Sequence, residues 1–125
     1  MKALSGQLLL ICIVSTILFV STGLAHADKS DKSDEINHLL EFIAQSDCIY
    51  IRNGKEYSAL EARDHIAGKY ESVKWRIKTS ETFISKIASR SSFSGKQYMI
   101  RCKEEEQTTE QWLSRELGNY RSRQK

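Results

Sequence analysis

The chain has 125 residues, 40% of them hydrophobic, with 19 Lys and Arg against 16 Asp and Glu, a net charge of +3 at pH 7. That length accommodates one compact domain and leaves no room for a second. So small a charge excess does not mark a nucleic-acid binder, and nucleic acid is not expected as a partner.

The first element is an export signal. Lys2 supplies a basic start, Leu8 to Val20 an apolar run broken only by Ser15 and Thr16, and Ala25-His26-Ala27 a small-x-small cleavage site. The run is shorter than the roughly 20 residues that a membrane-spanning helix needs, so residues 1–27 are expected to be removed and membrane contact of the mature chain to be at most peripheral. Residues 28–33, Asp-Lys-Ser twice over, form a charged spacer, and the compact domain is expected over 34–122.

From Asp34, a good N-cap, Ile36, Leu39, Leu40 and Ile43 recur at helical spacing to about Gln45, with Glu35, His38 and Glu41 off that face. Cys48 to Arg52 is rich in β-branched and aromatic residues and runs into Asn53-Gly54, the pair best suited to a type I′ turn. A hairpin returning through Glu56 and Tyr57 is therefore predicted. Ser58 and Glu61 have capping-box spacing, opening a second helix with Ala62, Ile66, Tyr70, Val73 and Ile77 as its buried stripe. Thr79 or Ser80 caps a third helix carrying Phe83, Ile84, Ile87 and Ala88. Ser89 to Gly95 reads as a hydroxyl-rich, solvated loop and Gln97 to Cys102 as a strand. Glu104 to Glu106 lead to a last helix capped at Thr108, with Trp112, Leu113, Leu117 and Tyr120 on its apolar side. The order predicts an α+β fold, a small antiparallel sheet of a hairpin plus one later strand packed with about four helices.

Once the signal with Cys12 is gone, Cys48 and Cys102 are the remaining pair, and in an oxidising compartment they suggest a disulfide. Two buried, unpaired small hydrophobes are the alternative. If the strand ending at Cys102 pairs antiparallel with the one starting at Cys48, the two cysteines face each other and Tyr50 faces Ile100.

Several short motifs agree in order and spacing with a known family: Ile-Arg-Asn-Gly at 51–54, Glu61-Ala62, His65, Lys69, Ile-Lys-Thr-Ser-Glu at 77–81, Phe83-Ile84, Ala-Ser-Arg-Ser-Ser at 88–92 and Ser-Gly-Lys-Gln-Tyr at 94–98. Over residues 36–117 the chain resembles the YfeK-like proteins, small exported bacterial proteins that share a domain of unknown function. The resemblance implies a periplasmic single domain and brings no activity, cofactor or catalytic residue. Gln97 stands where the family pattern has proline, and some members carry apolar residues at positions 48 and 102. A bridge there would reinforce the fold locally and is not the working chemistry.

Glu61, His65 and Lys69 lie at successive i, i+4 positions and form a polar row beside the apolar stripe of the second helix. Arg52 precedes that helix by a few residues, and the loop offers Ser91 and Ser92. These six residues form the candidate surface for an envelope protein or a small anionic ligand. Ordinary helix-surface pairing and turn chemistry account for the same residues without a ligand. Neither a nucleophile elbow nor an H-E-x-x-H or paired-cysteine metal motif occurs, so no catalytic residue, metal or cofactor is expected. The expectation is a periplasmic, non-enzymatic binding or accessory module. The alternatives are a small hydrolase or transferase with His65 as general base, and a structural envelope stability factor.

Overall fold

The computed structural model describes residues 31–125, so the expected signal peptide and the beginning of the expected spacer lie outside the described residues. Helix α1 (Lys32–Ala44) begins before the expected Asp34 cap, with Asp31 at the N-cap position. Two features favour the earlier start. Asp34 and Glu35 sit in the first turn, where carboxylates meet the positive end of the helix dipole. The Lys32 ammonium fastens that turn by donating to the Ile77 carbonyl at 2.9 Å. Glu35 points inward rather than off the apolar face, because Arg121 supplies a countercharge through two hydrogen bonds of 2.8 and 2.9 Å.

Strands β1 (Ile49–Arg52) and β2 (Lys55–Tyr57) form the predicted hairpin. Asn53 at φ 50° and Gly54 at φ 77° both take the left-handed conformation that a type I′ turn requires. Ser58 then caps α2 (Ala59–Val73) with a complete capping box: the Glu61 N–H donates to Ser58 Oγ and the Ser58 N–H to the Glu61 carboxylate. The helix stops at Val73, passes into a single 3₁₀ turn (Lys74–Arg76), and leaves Ile77 buried but beyond the helix. Thr79 caps α3 (Ser80–Thr82), which continues as a π-helix (Phe83–Ala88) with Phe83, Ile84, Ile87 and Ala88 all buried.

Two later segments differ from expectation. The serine loop is not simply solvated: Arg90 bridges to Gln97, the Ser91 N–H donates to the Lys96 carbonyl at 2.9 Å, and Ser89 and Ser91 are buried. After β3 (Met99–Cys102), the acidic run belongs to a fourth strand, β4 (Glu105–Thr108), before α4 (Thr109–Arg123) begins. Its glutamates have low strand propensity, but β4 is an edge strand held by a four-pair ladder with β3, and Lys103 at φ 59° turns the chain without glycine.

The sheet is fully antiparallel in the order β2-β1-β3-β4. Tyr50 pairs with Ile100, flanked by Ile49 with Arg101 and Ile51 with Met99. Cys48 and Cys102 come next in this register and are joined by a disulfide, their Cα atoms 4.5 Å apart. The core lies on the face carrying Tyr50, Tyr98 and Ile100. Ile36, Leu39 and Ile43 of α1, Ile66 of α2, the π-helix and Leu113 of α4 pack over it. Ile49, Ile51 and Met99 alternate onto the other face and are half-buried, and there Arg101 reaches across β1 to Glu56.

The register also discloses an internal two-fold arrangement. Hairpin β1–β2 with α2 and hairpin β3–β4 with α4 are counterparts at a constant spacing in the chain. The positive-φ residues Asn53 and Lys103 correspond, as do the caps Ser58 and Thr108 and the third helical residues Glu61 and Gln111. The central pair, Tyr50 with Ile100, joins the two equivalent positions.

Candidate functional site

The end of β1 and the outward side of α2 enclose the polar residues of the first half. Arg52 lies on the same strand face as Tyr50 and, at the strand end, passes beyond the core toward α2. Type I′ hairpin arithmetic places Tyr57 opposite Tyr50 and hence beside Arg52. The Arg52 guanidinium donates to the Tyr57 hydroxyl at 3.1 Å, lies 4.5 Å from the centre of that ring, and makes a close contact with His65 Nε2. Guanidinium has no acceptor, so the His65 nitrogen accepts and the imidazole carries its proton on Nδ1. One turn further along α2, the Lys69 ammonium donates to the Arg90 carbonyl at 2.8 Å and stands 5.2 Å from the centre of the Tyr98 ring.

Two cavities flank this cluster and share Arg52, Tyr57 and His65. One, of about 350 Å³, is bounded by Glu61, Ala62 and Asp64. The other, of about 410 Å³, extends past Lys69 to Ser91 and Ser92, with Lys55 and Phe93 at its edges. Three basic side chains, Arg52, Lys55 and Lys69, line the larger cavity, and among the described residues no carboxylate does.

The electrostatics follow from that imbalance. Burial pushes the His65 imidazolium pKa down, and the charges of Arg52 and Lys69 push it further. Lys69 is lowered by burial and by Arg52. Arg52 moves the other way because the Tyr57 hydroxyl accepts its hydrogen bond. Burial raises the Tyr98 phenol, against a partial offset from Arg52.

Five of the six candidate residues, Arg52, His65, Lys69, Ser91 and Ser92, thus border one concavity. Glu61 borders the neighbouring one and is exposed, its carboxylate engaged in the α2 cap. The Ser91 hydroxyl oxygen accepts the N–H groups of Phe93 and Ser94, both at 3.3 Å, and so shapes the loop. Tyr57 and Tyr98 were not among the candidates, although both rings touch its cations. The hairpin register would have found Tyr57, but no local signal brings Tyr98 to Lys69. His38 is engaged elsewhere, stacked on Tyr120 at 4.2 Å and bonded to Glu116 at 2.7 Å.

The fold and this cleft define a small α+β domain with a four-stranded antiparallel sheet and a basic, aromatic-lined pocket at one sheet end. The chain belongs to the family of unknown function DUF5329, whose model matches residues 30–121. It is 34% identical over 90 residues to the uncharacterized protein YfeK of Salmonella typhimurium, covering 71% of this chain and 74% of that protein. No solved structure matches.

Proposed function

We propose that the chain is an exported, periplasmic binding module that takes a small anion into the larger cavity, with no chemistry performed on it. The observation that carries this reading is the convergence of Arg52, Lys55 and Lys69 on one cavity that, among the described residues, no carboxylate lines. Like charges held together repel one another, and an anion among them relieves that repulsion while accepting their hydrogen bonds. The hydroxyls of Ser91 and Ser92 add donors at the far wall.

Binding is favoured over proton transfer by the N–H of Arg52 directed at His65 Nε2, which occupies the lone pair that a general base needs. Export rests on the order of basic start, apolar run and Ala-His-Ala site, and periplasmic residence on the family resemblance. Detection of Asp28 as the mature N-terminus would support export, and an intact Met1 start confined to the cytoplasmic fraction would contradict it.

Calorimetric titration with sodium sulfate and sodium phosphate tests the pocket. The wild-type domain is expected to bind with a dissociation constant in the roughly micromolar to millimolar range. The variants Arg52→Gln and Lys69→Met, with unchanged circular dichroism, are each expected to bind about tenfold more weakly, since each removes a charge-assisted contact. Failure of the wild type to take up either anion would overturn the reading.

A further inference from the structure

Phe93 is not explained by anion binding alone. Its side chain is fully exposed, more so than Leu60 and Trp75, the other large exposed hydrophobics among the described residues. Trp75 carries Arg76 against its ring at 5.5 Å. Phe93, by contrast, stands at the mouth of the cationic cavity with both ring faces in water.

It is also held there. Its N–H and that of Ser94 donate to Ser91 Oγ, the Gly95 N–H donates to the Ser91 carbonyl at 3.0 Å, and the Ser94 hydroxyl donates to Asn53 Oδ1 at 3.4 Å. The last bond ties the loop to the β1–β2 turn. A small anion seated among Arg52 and Lys69 would leave Phe93 in water. Only an occupant that is anionic within the cavity and apolar beyond it would cover both. Exposed Lys55 and Lys96 stand on the two segments that this bond joins, adding positive charge around the ring.

On the basis of the anion-binding reading, we propose that this end of the sheet docks on an anionic lipid bilayer. The phosphate of a phospholipid headgroup enters the cavity of Arg52 and Lys69, and Phe93 inserts among the acyl chains. A bilayer surface offers anions and an apolar layer within a few ångströms of each other, the combination that a peripheral aromatic anchor beside basic residues exploits. The attraction is additive: the cations supply a salt-screened component and the ring supplies burial of apolar area.

Sedimentation with vesicles tests the proposal on the mature domain. Vesicles of equal parts phosphatidylglycerol and phosphatidylcholine should carry the protein down, vesicles of phosphatidylcholine alone should not, and added sodium chloride should release it. Phe93→Ala should weaken partitioning about tenfold or more, while Phe93→Trp should retain it. Soluble dihexanoyl phosphatidylglycerol serves as a further probe. Binding of that lipid without vesicle binding would overturn bilayer docking, as would vesicle binding indifferent to Phe93→Ala. If sulfate binds and vesicles do not, docking falls while the anion pocket stands. If sulfate also fails, both fall.

Discussion

His65 receives an N–H of Arg52 on the nitrogen that would otherwise take a proton, and its protonation places a third positive charge beside Arg52 and Lys69. Burial first, and then the charges of Arg52 and Lys69, hold its pKa below the ordinary value of 6.5, so the imidazole is neutral at neutral pH. An anion in the cavity favours the charged imidazolium, so binding is linked to proton uptake and affinity rises as pH falls toward the lowered pKa of the free site. Sulfate stays doubly charged throughout this range and isolates the protein's contribution. Titrations between about pH 8 and pH 5 should show about a fivefold gain in sulfate affinity toward acid, the size expected of one partly solvated charge. His65→Ala should flatten the profile, and a flat wild-type profile would place the anion away from His65. Stability has the opposite sign. A depressed folded-state pKa means that the unfolded chain binds the proton more readily, so this contribution is held above the ordinary value of about 6.5 and is lost as pH falls from there through the lower folded-state pKa. The residue types of this cluster were legible in the chain because α2 spacing aligns Glu61, His65 and Lys69. Which neighbours each would choose was not: Glu61 turns back to its own helix end, His65 joins Arg52 across the hairpin, and Lys69 reaches a loop that only the tertiary fold brings near.

At the scale of elements, short-range chemistry accounts for what could be anticipated. Asn53-Gly54 and the Ser58–Glu61 capping box fix the hairpin and the start of α2, and through them the placement of Arg52 and Tyr57. Strand β4 was missed because three successive glutamates resemble a solvated helix approach more than a strand; it exists because β3 offers it a ladder. The early end of α2 and the π-helix are likewise outcomes of packing, with Ile77 and Phe83 each buried in the common core. The cap permits a direct separation of folding from binding. Ser58→Ala removes the acceptor for the Glu61 N–H and should lower stability by about 1 kcal/mol. In a domain of this size that is roughly 4–8 °C of thermal midpoint, read by circular dichroism. Glu61→Gln keeps a side-chain acceptor at the third helical position and should cost much less. Because Glu61 borders only the neighbouring cavity, the same variant should leave sulfate affinity within about twofold. A tenfold loss with Glu61→Gln would draw the smaller cavity into the anion site.

Two hairpin-helix halves are joined along β1 and β3, with α1 and the π-helix packed over them, and the disulfide spans that seam. Only one half carries the pocket chemistry. The positions of Arg52, Tyr57 and His65 are taken in the other half by Cys102, Gln107 and Arg115, where Arg115 donates to the Gln107 amide oxygen at 2.7 Å. The bridge lies at the opposite end of β1 from Arg52, so it strengthens the seam without entering the site. It closes a loop of 54 residues, which in the chain-entropy treatment restrains the unfolded state by about 4 kcal/mol. Replacing both cysteines by alanine frees that ensemble and leaves a gap of one sulfur at buried Cys48, Cys102 being only partly buried. We expect the Cys48→Ala, Cys102→Ala double variant to lose about 2–4 kcal/mol in urea titration. Its denaturant dependence should be steeper, since an untethered unfolded chain exposes more surface. Reduction of the wild-type protein should reproduce the lower midpoint. The folded variant should still bind sulfate as the wild type does, because Arg52, His65 and Lys69 are fixed by the hairpin turn, α2 and the serine loop. An unchanged midpoint would remove the bridge from the sources of stability, whereas a lost sulfate affinity in the folded variant would mean that the seam holds the pocket in shape.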